Sequence, residues 1–256
     1  MIRYFIILIC LLLALPVVAD DIVFIHTIGS DASVWDNVTQ PFQSSFTTWV
    51  WEIPGHGKTA AVGNLTIDSA VELFGKFLEE NNIDYPVIVG HGMGGLIAMQ
   101  HAFANPTTVD RLVLIDAAPR QMAQKEQKIA VTKQLTTNYD RFVAGYFLNM
   151  SPIDEITDII VDQALRTDQM SFTQLLLSSF DFDITDELPR QAIPILLVGS
   201  NLLFPDSDQA LEQLHMLGFG NARTVSFKTM PGTGHFVMLE QPNYLASVIL
   251  AFAIGH

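Results

Sequence analysis

Six short apolar runs recur along the chain with helix-patterned stretches between them, and this alternation restricts the fold more than any other feature. The runs are IVFIH (22–26), TTWVWEI (47–53), PVIVG (86–90), RLVLID (111–116), IPILLVG (193–199) and RTVSFKTM (223–230). Strands that are apolar on both faces belong in a sheet covered on both sides. The intervening segments, such as 66–80 and 93–105, place apolar residues at helical spacing. The pattern predicts an α/β fold with a mainly parallel twisted sheet flanked by helices. Residues 120–188 break the alternation: they carry no strand pattern but several helical ones. One is DEITDIIVDQAL (154–165), with Pro152 placed inside its first turn after Ser151. This stretch reads as a helical cap insertion over the C-terminal edge of the sheet, where ligands of such sheets bind. The core then comprises residues 20–119 and 189–256.

The N-terminus has a different character. MIRYFIILICLLLALPVVADD holds one positive residue, Arg3, then an apolar run to Leu15 and small residues at Val17 and Ala19. Residues 1–19 are expected to be a signal peptide cleaved before Asp20, so that the mature chain is secreted or periplasmic; left uncleaved, the segment would anchor it to a membrane. Cys10, the only cysteine, falls in this leader, which leaves the remainder without disulfides or thiol chemistry. With 49% hydrophobic residues in 256, the chain can bury one substantial core. Its 27 acidic against 13 basic residues give a formal charge of −14, which repels phosphate backbones and argues against a nucleic-acid partner. The sequons NVT (37–39) and NLT (64–66) carry meaning only in a eukaryotic source. Nothing in the composition indicates an oligomeric state.

IVFIHTIGSDASVW, WEIPGHGKT, VIVGHGMGGLIAM, RLVLIDAAP, IPILLVGS and MPGTGHFVMLEQP stand in the order and spacing of α/β-hydrolases. From residue 22 to 254 the chain resembles the small, cap-bearing, esterase-like branch of that superfamily. The resemblance implies a nucleophilic serine at the tip of a Gly-x-Ser-x-Gly turn, the nucleophile elbow. Here the tip is Gly92, with Gly90, Gly94 and Gly95 around it. Glycine tolerates the strained backbone of the tip, so the elbow is kept while the hydroxyl that would form an acyl-enzyme is lost. His235, in GTGHF, matches the family's general base. Its acid is expected after the preceding strand, but GSNLLFPD offers Asn201 and Leu202 there and no carboxylate. Asp206, just beyond Pro205, is the first candidate and Asp116 a weaker second; the plain alternatives are a helix cap and a strand-end residue. The backbone amides of Ile28 and Met93 occupy the oxyanion-hole positions. The loop that normally opens with His-Gly reads His26-Thr27, setting a β-branched residue beside that hole. His26 and His56 are expected to be architectural.

GHGMGG also satisfies Gly-x-Gly-x-x-Gly through Gly90, Gly92 and Gly95, and Asp116 ends the next strand about 20 residues on, as in a dinucleotide site. Such fingerprints usually open their domain, whereas two strand patterns precede this one, and PGHGKT and GTGHF would be left unexplained. The departures fall at the nucleophile, the acid and the oxyanion loop together, which is the pattern of a divergent member and not of a single serine-to-glycine inactivation. The expectation is a relative of carboxylic-ester and acyl hydrolases that lacks serine-type hydrolysis. It would be a pseudoenzyme or a non-covalent catalyst in which His235 activates water. An active or inactivated ester or C–C bond hydrolase, and a ligand-binding or signalling protein using the cap cleft, remain the alternatives. The expected partner is a small apolar or ester-like molecule beneath Phe142, Tyr146, Phe147, Met150, Met170 and Phe172, although cap-to-core packing explains most of these as well. No cofactor is called for, and the seven histidines are scattered without metal-ligand spacing.

Overall fold

The structure, a computed structural model, describes residues 21–121, 123–204 and 209–255. The leader expected over 1–19 and the candidate acid Asp206 lie outside these residues. Six strands, β1 (Asp21–Ile25), β2 (Thr47–Trp51), β3 (Val87–His91), β4 (Arg111–Ile115), β5 (Ile195–Ser200) and β6 (Val225–Met230), form one sheet in the order β2-β1-β3-β4-β5-β6. Every neighbouring pair runs parallel. All residues of β3 and β5 are buried, as expected of central strands covered on both faces. The expected mainly parallel α/β sheet is therefore present, each strand lying within two residues of its predicted run.

The helices that cover the sheet follow from local chemistry. Helix α1 (Ile67–Glu80) begins at Thr66, whose side chain accepts from the Ser69 N–H while Ser69 Oγ accepts from the Thr66 N–H. Helix α2 (Met93–Ala104), which leaves the elbow directly, is apolar almost all round and buried accordingly. Between β4 and β5 come α3 (Lys125–Thr137), α4 (Tyr139–Phe147), α5 (Asp154–Arg166) and α6 (Gln169–Ser179), and α7 (Pro242–Ala253) closes the chain. The helical excursion leaves and rejoins the core at one neck. Arg120 and Asp183 form an antiparallel bridge there, Gln121 N–H donates to Phe182 C=O (2.9 Å) and Ala123 N–H to Phe180 C=O (3.1 Å). Pro152 sits ahead of α5 and not inside its first turn: Ser151 Oγ accepts from the Ile153 N–H at 3.1 Å, and the resulting turn delays helical geometry to Asp154.

The strand register sets out the functional end of the sheet. Ile25 pairs with Gly90, His91 with Ile115, and Ile115 with Val198. Continuing each pairing past the strand ends brings Thr27, Gly92, Asp116 and Gly199 into one row along the C-terminal edge.

Candidate active site

Gly92 stands at the apex between β3 and α2 with φ +49° and ψ −114°, a conformation that side chains strongly disfavour. Its N–H donates to Ile115 C=O (2.9 Å), and its carbonyl accepts from Gly95 N–H and Leu96 N–H to start the helix. The bend therefore has the strained form of a nucleophile elbow and carries no side chain. A Cβ built on Gly92 would stand 2.3 Å from Thr27 Oγ1 and 3.0 Å from His235 Nε2. At Gly94 a Cβ would strike the carbonyls of Ile25 and His26, so this glycine permits the helix start to press against the end of β1.

His235 reaches the same apex from the loop after β6. Its Nδ1 lies 3.1 Å from Asp116 Oδ2, and the two side chains are 18% and 3% exposed. The Asp116 carboxylate also accepts from Ser200 N–H (2.7 Å, Oδ1) and Ser200 Oγ–H (2.6 Å, Oδ2). A carboxylate facing Nδ1 fixes the tautomer in which Nδ1 carries the proton and Nε2 accepts. Asp116 adopts φ +44°, rare for a residue with a Cβ, which turns its side chain off the end of β4 toward the histidine. The carboxylate beside His235 is thus the one ranked second in the sequence. The strand-end reading overlooked the positive φ and the proximity of β4 to the elbow.

The loop carrying His235 is tied at three points. His235 N–H donates to Met150 C=O of the cap (2.6 Å), Gly234 N–H donates to Glu240 Oε2 (2.7 Å), and Asn201 N–H donates to Thr233 C=O (3.1 Å). Burial pushes the Glu240 carboxyl above its ordinary value. Behind His235, 4.3 Å away between ring centroids, lies His91, wholly buried and held well below the ordinary histidine value by desolvation. His91 is therefore neutral and places no like charge beside His235.

The oxyanion positions are altered. Met93 N–H donates to Thr27 Oγ1 at 3.1 Å, so a hydroxyl of the chain itself occupies that donor. Ile28 is buried beside it, and among the described residues its N–H has no acceptor. His26 is architectural in geometry: Nδ1–H donates to Thr27 C=O (2.7 Å), Nε2 accepts from Ile53 N–H (3.0 Å), and burial lowers its pKa to about 4. His56 donates through Nδ1 to Pro54 C=O (3.1 Å) and is lowered by burial to about 3. Of the six cap residues singled out in the sequence, Phe147 and Phe172 pack fully into the core, while Tyr146 and Met170 are exposed. A cavity of about 500 Å³ opens beside the His235 loop, lined by Asn149, Ser151, Leu202 and Gly234 among others. Among the described residues no three His, Cys, Asp or Glu converge to hold a metal ion.

Residues 22–248 match the model of the alpha/beta hydrolase family. The chain belongs to that family. A pimeloyl-[acyl-carrier protein] methyl ester esterase of Vibrio cholerae serotype O1 is 25% identical over 196 residues, covering 71% of this chain and 75% of the esterase. The protein of that name from Cronobacter sakazakii is 33% identical over 98 residues, a match of 38% of this chain and only 36% of the relative. Among solved structures, a thermophilic esterase from Thermogutta terrifontis superimposes with a TM-score of 0.79 at 18% identity, covering 92% of this chain and 89% of the esterase. Family membership also displaces the dinucleotide reading. Added Cβ atoms at Gly90 and Gly95 would meet the turn itself and Ala117, so these glycines serve packing, and the carboxylate meant for a ribose is engaged by Ser200 and His235.

Proposed function

We propose that this protein binds a small carboxylic ester under the cap and cleaves it without an acyl-enzyme, His235 taking a proton from the attacking water. One observation carries the reading: Asp116 orients His235 toward an apex at which residue 92 has no oxygen to be deprotonated. A covalent route needs that oxygen, whereas general-base catalysis needs only the oriented imidazole. The choice of an ester follows the names of the relatives, and a short acyl group suits the partly apolar cap. Purified protein should hydrolyse p-nitrophenyl acetate while resisting a fluorophosphonate probe. A covalent adduct in the cleft, or no turnover across a panel of short esters, would overturn this reading.

A second reading, binding without turnover, is favoured by the Met93 N–H being taken up by Thr27 Oγ1. A non-hydrolysable ester analogue bound in calorimetry, together with esters that survive prolonged incubation, would select it. We also infer that residues 1–19 are removed on export, so that mass spectrometry of the exported protein should find Asp20 at its N-terminus.

A further inference from the structure

The Thr27 hydroxyl and position 92 are coupled by the sheet, and neither makes full sense alone. Register carries Thr27 next to Gly92, and the Cβ that a serine would need there falls 2.3 Å from Thr27 Oγ1. Such a separation is far inside van der Waals contact, so the hydroxyl at 27 must be displaced before any side chain fits at 92. Thr27 is 2% exposed, and its Oγ1 accepts from Met93 N–H, which fixes the oxygen and leaves its proton to donate elsewhere. Among the described residues no group accepts that proton. The same point lies 3.0 Å from Nε2 of His235, an acceptor in the tautomer imposed by Asp116. One polar atom offers a proton and the other offers a lone pair, and they stand no more than about 5.3 Å apart, within the reach of one water making two hydrogen bonds of about 2.8 Å.

We propose that Thr27 stands in for the missing side chain of residue 92: its hydroxyl and Nε2 of His235 hold between them the water that attacks the ester. The assignment rests on the hydrolytic reading above. In the step itself the water oxygen bonds to the ester carbonyl carbon and passes a proton to Nε2. The carbonyl π pair moves onto oxygen beside the Ile28 N–H. Collapse of this intermediate breaks the bond to the alkoxy group, which leaves with the proton held by His235, giving acid and alcohol. Thr27 is a water-positioning residue, and it also accounts for the change in the His-Gly opening of its loop.

The test uses the full protein and four variants, with p-nitrophenyl acetate as substrate. Thr27→Val keeps the shape and deletes the hydroxyl, and should lower kcat by about tenfold or more with KM nearly unchanged; Thr27→Ser should restore most of it. Wild-type kcat in Thr27→Val would overturn the assignment. Crystals of the wild type and of Thr27→Ser should show a water within hydrogen-bond distance of both Oγ and Nε2, absent in Thr27→Val. A wild-type crystal without it would also overturn the assignment. This readout does not depend on turnover: an inert wild type that holds the water discards the hydrolytic reading and keeps the Thr27 site. The steric coupling is read separately with a fluorophosphonate probe. Gly92→Ser alone should stay unlabelled and Gly92→Ser with Thr27→Gly should label at 92; equal labelling of both refutes the exclusion.

Discussion

Replacing Asp116 by asparagine changes one atom and should disable the proposed base by reversing its tautomer. The carboxylate accepts from Ser200 N–H at 2.7 Å, from Ser200 Oγ at 2.6 Å and from His235 Nδ1 at 3.1 Å. A backbone N–H cannot become an acceptor, so the amide oxygen must stay opposite Ser200 N–H; the reverse placement sets donor against donor and costs about 1–3 kcal/mol. The amide NH₂ then faces Ser200 Oγ, which can rotate to accept, and His235 Nδ1, which must lose its proton to do so. Nε2 acquires that proton and no longer accepts from water. Loss of a positioned general base corresponds to a drop of roughly 10²–10⁴ in kcat. Because the substitution is nearly isosteric, stability should fall by only about 1–3 kcal/mol, as for a charged hydrogen bond exchanged for a neutral one. The assay is ester hydrolysis at mildly alkaline pH, paired with nitrogen-15 NMR of labelled histidine to identify the protonated ring nitrogen. If Asp116→Asn folds, retains kcat within about threefold of wild type and keeps Nε2 unprotonated, the reasoning is wrong.

Other expectations follow from single contacts. Gly92→Ala introduces a Cβ at φ +49° against Thr27 Oγ1 and should cost about 1–3 kcal/mol, read as a lowered urea midpoint; an unchanged midpoint would show that the apex relaxes freely. His26, lowered by burial to about 4 from 6.5, refuses in the folded state a proton that the unfolded chain accepts. Its contribution is therefore complete above pH 6.5 and is lost as pH falls toward 4, about 3 kcal/mol in all; denaturant titrations across that window should show His26→Asn with a shallower slope than wild type. Gly234→Ala would drive a Cβ onto the Met150 carbonyl and part the His235 loop from the cap, so proteolysis within residues 148–153 should accelerate while cleavage of the sheet helices does not.

The sheet was legible in the sequence because its strands are buried on both faces and read as continuous apolar runs, a signal that survives without knowledge of tertiary contacts. The elbow was legible for a similar reason, since its glycines lie within six consecutive residues. The carboxylate was not. A local pattern pointed to the loop after β5, whereas Asp116 meets His235 only because β5 joins the strands that carry them and because its own φ is +44°. The helpful signal was Ser200, a small donor at the end of β5 able to hold a carboxylate from the neighbouring strand. Thr27 was visible as an odd residue, but its meaning required the β1–β3 register, which sets it against a glycine 65 positions away.

The neck at Arg120 and Asp183 has a consequence of its own. A segment whose two ends leave and return side by side imposes no tension on the strands it interrupts, whatever its length. Its four helices could be shortened, exchanged or redesigned without moving Gly92, Asp116 or Thr27, all of which are anchored in the sheet. Guest selection and bond-breaking geometry are thereby free to diverge on separate evolutionary clocks, coupled through side-chain and backbone contacts such as Met150 C=O with His235 N–H and Gly55 C=O with Asp168 N–H.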